Sequence, residues 1–196
     1  MIKALLLIFE PVSGWNGVVE RNRGTAFIFV LYVLPMLALC TAAQLAGLLH
    51  FGHTSDYSGT VVPVARNLLR YYGAGEFVLS LATLLLATYV LKSFGETFHS
   101  RHTFNQCFSV VAHSLSPVFL VRLLDAFPWM NPWASLGIGI VLAWSVLYQG
   151  IPRVLEPDPP HAFGLYLSSA LALGVLVGLS RFLSLLILWG KIKYLR

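Results

Sequence analysis

The sequence predicts an all-α membrane protein, a five-transmembrane-helix bundle preceded by a short interfacial segment. Three observations carry that reading. Hydrophobic residues make up 57% of the 196 residues and charged residues 11%, against roughly a quarter charged in an ordinary soluble domain. The mean hydropathy is +0.75, more apolar surface than a soluble fold can hide. Several apolar runs also approach or exceed the roughly 20 residues needed to cross a hydrocarbon core of about 30 Å.

Residues 1–24 are assigned to an N-terminal interfacial segment and 25–196 to the membrane domain, with spans at Thr25–Leu49, Tyr72–Phe94, Phe104–Leu124, Pro132–Tyr148 and Ala162–Trp189. In the first segment the short apolar stretch Ile2–Phe9 precedes Trp15, Arg21 and Arg23. This pattern suits an interfacial helix leading into an aromatic anchor. Glu10 and Pro11 interrupt the apolar stretch and no small-residue cleavage site follows, so a cleaved signal peptide is not expected. Between the first two spans, Val64, Leu68 and Leu69 alternate with Arg66 and Arg70 and suggest a surface-lying amphipathic turn or two. Cys40 and Cys107 fall within or at the edge of spans and read as small buried apolar residues, with no disulfide framework.

Orientation is nearly undetermined by charge. One side of the bilayer holds Lys3, Arg21, Arg23, Lys92, Arg101 and Arg153, the other Arg66, Arg70, Arg122, Lys191, Lys193 and Arg196. The leading charges of the first helix break the tie toward a cytoplasmic N-terminus. The net charge of +5 favours anionic lipid head groups; no basic stripe with interleaved aromatics points to nucleic acid.

Three small-residue repeats are candidate packing seams, because helices in lipid associate through close approach. They are Ala38, Ala42 and Ala46; Ser135, Gly139 and Ala143; and Ala170, Gly174 and Gly178. On the third span, His102, Gln106, Ser109, His113 and Ser116 are separated by four, three, four and three residues and form one polar stripe that should avoid lipid. Pro117 deprives the His113 carbonyl of its helical donor, which predicts a kink, with Ser114, Ser116 or a water recovering that carbonyl. The stripe is read first as a buried packing face. A proton-handling or ligand-contacting His113 is the alternative.

Enzyme signatures of the phosphate-loop, dinucleotide, nucleophile-elbow and H-E-x-x-H kinds do not occur. Two H-x-x-H pairs, His50 with His53 and His99 with His102, have metal-like spacing. The five-span threading puts them at opposite faces, so no metal or cofactor is assigned. Arg181 interrupts the last apolar run. Either it snorkels to the interface or it is inside and needs a partner. Threading brings Asp125 and Glu76 to the same end of the bundle, with Arg122 as a competing cation, so these four residues form a candidate intramembrane ion network.

Several short motifs occur together in order. Pro11 and Trp15 fit a Pro-x-x-x-Trp segment, Tyr32 and Pro35 a Tyr-x-x-Pro pattern in the first span, and "AHSLSP", ending at Pro117, stands in the third. "YQGIPR" follows with Tyr148, Gly150 and Arg153. In these the chain resembles the Yip (Ypt-interacting-protein) family in its short prokaryotic form. His113 stands where the family usually has Tyr, and the Asp-Leu-Tyr-Gly-Pro motif of eukaryotic relatives is missing, so their trafficking roles are not carried over. The resemblance implies five helices, a cytoplasmic N-terminus and residence in a bacterial inner membrane. The expected function is non-enzymatic: organising lipid, a membrane-protein partner or further copies of the chain through helix packing and loops. The alternative is a transport or permeation subunit using the stripe of the third helix.

Overall fold

The computed structural model describes residues 7–21, 23–54, 61–98, 102–127 and 129–189. Five helices are long and apolar enough to cross a membrane: Thr25–Phe51, Arg66–Thr97, Phe104–Ala126, Pro132–Val154 and Pro159–Leu188, here spans one to five. Most of the Ile2–Phe9 stretch, with Lys3, lies outside the described residues, as do His99, Arg101 and the basic residues after Trp189. A separate N-terminal helix, Pro11–Val19, begins with its proline in the first turn, where the missing N–H costs nothing.

Each span departs from its expected form for a local reason. Span one contains a π-helical turn, Phe29–Val33, immediately before Leu34–Pro35; the widened turn accommodates the ring that would otherwise meet the preceding turn. Span two starts at Arg66 rather than Tyr72, because Ala65 is extended and nothing from Arg66 onward breaks the i to i−4 ladder. The expected surface turn is therefore the first two turns of the span itself. Span three is interrupted at Leu115, resumes over Ser116–Val121 and tightens into a 3₁₀ turn, Arg122–Ala126. Span four continues through Pro152 to Val154. The connector after span one carries a two-residue antiparallel pair, β1 (His53–Thr54) with β2 (Val61–Val62).

Span three is the axis of the bundle, 78% buried against 28–39% for the others. Spans two and five share the most extensive interface. Of the three small-residue repeats, Ser135, Gly139 and Ala143 are buried, Gly139 against the Val118 backbone of span three. Ala170 is buried and Gly174 meets the Trp144 ring, whose Nε1 donates to the Ala170 carbonyl at 2.8 Å. Ala38, Ala42 and Ala46 face outward instead, because span one turns Met36, Leu37, Cys40 and Gln44 to the core.

Trp15 corrects the expectation of an interfacial anchor. Its side chain is fully buried, its Nε1 donates to the Val146 carbonyl at 3.1 Å, and its ring lies where a Cβ on Gly150 would be. The N-terminal helix thus docks onto span four through one large ring and the residue that makes room for it. Gly150→Ala should overpack this contact and cost about 1–3 kcal/mol. Trp15→Phe, losing chiefly the indole hydrogen bond, should cost about 0.5–1.5 kcal/mol. Thermal unfolding of the purified protein in detergent measures both, and a Gly150→Ala midpoint equal to wild type would rule out the close docking.

Candidate functional site

Near the end of the bundle where span one finishes, every span contributes a polar side chain to one buried cluster. Span two supplies Tyr72, Glu76 and Ser80, spaced by four and so stacked on one helical face. The 3₁₀ turn closing span three supplies Arg122 and Asp125. Residues three apart eclipse in that geometry, so both point into the bundle. Spans one, four and five add Gln44, Ser135 and Arg181. Of these, Glu76 is 2% and Arg181 1% exposed.

The cluster is built around two ion pairs. Arg181 Nη2 lies 2.5 Å from Asp125 Oδ2, and Nη1 donates to the Tyr72 hydroxyl at 3.4 Å. That hydroxyl also accepts from Gln44 Nε2 at 2.8 Å, while Ser135 Oγ donates to Asp125 Oδ1. Arg122 Nη1 contacts Glu76 Oε1 and donates to Ser80 Oγ at 2.8 Å. Neither Glu76 oxygen accepts a hydrogen bond of normal geometry among the described residues, so Arg122 compensates Glu76 by proximity. Two guanidiniums against two carboxylates leave the cluster formally neutral.

Depth explains the pairing. Glu76 lies ten residues into span two, about 15 Å from its start, below the membrane surface for a helix of this length. A lone charge at a helix centre costs about 2.5–3.5 kcal/mol on insertion scales. Snorkelling would spare that cost, but Arg181 turns inward to Asp125. Above the pair lies a cavity of about 490 Å³. Gln44, Tyr72, Asp125 and Arg181 contribute its polar lining, and Trp129, Trp133 and Trp189 are among its apolar walls.

The stripe of span three divides in two. Its first turn is a cap: the Thr103 side chain accepts from the Gln106 N–H, and the Gln106 side chain accepts from the Thr103 N–H at 3.0 Å. His102, half-buried beside it, is held below the ordinary histidine pKa by that burial and is neutral at pH 7. Deeper in, His113 Nδ1 meets the Ser109 carbonyl at 2.7 Å. Its ring stacks on Tyr32 at 4.7 Å and lies 5.9 Å from the Trp15 ring. Ser116 Oγ donates to the Ala112 carbonyl at 3.0 Å. Its single proton is thereby used, so the Tyr32 hydroxyl, 2.5 Å away, is the donor to it. Ser116 thus serves Ala112 rather than the His113 carbonyl expected, and Ser114 Oγ is buried without a hydrogen-bond partner among the described residues.

Of the motif positions, Trp15, Tyr32, Pro117 and Gly150 are drawn into this interior. Tyr148 stays exposed, edge-on to Tyr166 at 5.1 Å. Arg153 folds back onto the Gln149 carbonyl at 2.8 Å, and Pro35 is exposed, while Pro11 opens the N-terminal helix. Sequence reasoning missed Gln44, Tyr72, Ser80 and the polar role of Ser135. The four-residue spacing around Glu76 was the available signal.

A bundle of five membrane-crossing helices whose buried charges are paired internally defines an all-α integral membrane protein. Residues 5–182 match the family model for the Yip1 domain, and the chain belongs to that family. No curated protein and no solved structure matches it.

Arg181→Gln should leave Asp125 buried without its cation and cost about 3–5 kcal/mol. Arg181→Gln combined with Asp125→Asn should cost clearly less than the sum of the two single changes, because the pair is lost only once. Thermal unfolding in detergent reads the cycle; strict additivity would show that the two residues do not interact.

Proposed function

We propose that this Yip-family protein is a non-enzymatic membrane organiser, a rigid helical frame that holds lipid and protein partners, with its N-terminus in the cytoplasm and its place in a bacterial inner membrane. The observation that carries the reading is the neutral cluster joined by all five spans, which favours one fixed arrangement of helices. Its four charges are paired with one another. A nucleophile, a base and an orienting group do not converge among the residues of the cluster, as a catalytic reading would require.

The permeation alternative has less support. Along spans one and three, the stretch between the His113 stripe and the charged cluster is filled by Val33, Met36 and Leu37 and by Leu115, Val118 and Phe119, each no more than 2% exposed. These side chains belong to one packed apolar cluster, which interrupts the polar groups that a proton or solute would follow.

Two experiments test this. Reporter tags at the N-terminus and between Lys92 and Arg101 should be cytoplasmic and a C-terminal tag on the other side; termini on the same side would remove the threading. In reconstituted vesicles His113→Gln, which keeps a donor and an acceptor, should leave folding unchanged, and wild-type vesicles should carry no proton flux above protein-free controls. A pH-driven flux abolished by this change would replace the organiser with a transporter.

A further inference from the structure

A second cavity, of about 390 Å³, opens at the opposite end of the bundle between the N-terminal helix, span one and span three. Its volume lies in the roughly 300–1,000 Å³ range of small-molecule sites. Its chemistry is graded from one end to the other. Arg21 and Arg23, in the connector before span one, are both exposed, and neither forms an ion pair with a described carboxylate. The Arg23 guanidinium carbon sits 4.1 Å above the centre of the Phe27 ring. The ring engages the face of the guanidinium and leaves its in-plane N–H donors, the ones that fit phosphate oxygens, unused.

Beyond the arginines the lining becomes apolar, with Val18, Phe27, Ile28 and Leu31. Phe27 and Leu31 are 41% and 61% exposed on a helix long and apolar enough to span the bilayer, so the groove is open to the side as well as at its mouth. Its floor is the Tyr32–His113 stack. There the Tyr32 hydroxyl is engaged by Ser116 and His113 Nδ1 by the Ser109 carbonyl, so these two polar atoms are bonded within the protein. Cationic donors at head-group level above an apolar, laterally open channel match one kind of molecule.

We propose that this groove is a binding site for an anionic glycerophospholipid, with the phosphate held by Arg21 and Arg23 and an acyl chain laid along Phe27 and Leu31 over the Tyr32–His113 stack. The site deepens the organiser reading by naming one lipid partner and rests on it only for which leaflet supplies the lipid. Binding measured in detergent depends neither on orientation nor on any protein partner, so the two ideas fail separately.

The test is a lipid titration of the full chain in detergent, read by native mass spectrometry, with phosphatidylglycerol and phosphatidylcholine of identical acyl chains. Wild type should retain phosphatidylglycerol preferentially. If each arginine near the surface contributes about fivefold, removing both by Arg21→Gln and Arg23→Gln should weaken that preference roughly 25-fold. Gly17 lines the groove and a Cβ there meets no atom within 4 Å, so Gly17→Phe should fill the space and reduce retention of both lipids. Arg66→Gln with Arg70→Gln, two exposed arginines at the other end of the bundle, should change nothing. Equal retention of the two lipids by wild type would overturn the proposal. So would a loss of preference in the Arg66/Arg70 variant matching that in the Arg21/Arg23 variant, since general surface charge would then account for it. The Arg21/Arg23 variant changes only exposed side chains, and an unchanged thermal midpoint establishes that it is folded.

Discussion

A charge inside a bilayer must find its opposite, and this requirement organises one half of the molecule. Glu76, Arg122, Asp125 and Arg181 lie on three different spans, and Glu76, Arg122 and Arg181 are buried. Pairing them fixes the rotation of spans two, three and five about their axes, because a turn of one helix would strand a charge. Gln44 and Ser135 then draw spans one and four into the same cluster through hydrogen bonds, Gln44 to the Tyr72 hydroxyl and Ser135 to the Asp125 carboxylate. Whether such a cluster adds net stability over apolar packing is secondary; its specificity comes from the cost of every arrangement that leaves one member unpaired.

The other half of the bundle is held by rings and shape. Trp15 folds in beside Gly150 and bonds to the carbonyl of Val146, and Tyr32 stacks on His113. The second contact lies on irregular backbone. The π-helical turn that contains Tyr32 and the interruption at Leu115 before Pro117 sit beside one another in the fold. The two prolines, one in each helix, thus shape the place where the helices meet. The His113 ring is packed between Tyr32 and Trp15, with its Nδ1 at the Ser109 carbonyl.

Between these halves, along spans one and three, lies a layer of Val33, Met36, Leu37, Leu115, Val118 and Phe119, and at either end an open cavity. The cavities share no lining residue. One has a charge-neutral polar face of Arg181 and Asp125, the other two arginines at its mouth that form no ion pair among the described residues. The two ends of the bundle thus present different chemistry.

The sequence by itself determined the number of crossings, because hydropathy and span length answer to the bilayer one segment at a time. It also placed Ser109, His113 and Ser116 on one face by helical period, but all of residues 107–119 are buried, so that burial comes from the central place of span three rather than from the stripe. The helix boundaries at Phe104 and Pro132 were legible from their caps and proline. Which charges meet was a different matter. Arg181 had two candidate acids, and the choice of Asp125 depends on the 3₁₀ turn that swings Arg122 and Asp125 together and on the close approach of Gly47 in span one to Ala126. Tyr72 shares its face with Glu76 by a four-residue spacing, but Gln44 joined the cluster only through a helix rotation that no local pattern specifies. The burial of Trp15 likewise required the N-terminal helix to fold back on a glycine some 130 residues away in the chain, a contact between segments that sequence spacing leaves open and tertiary packing decides.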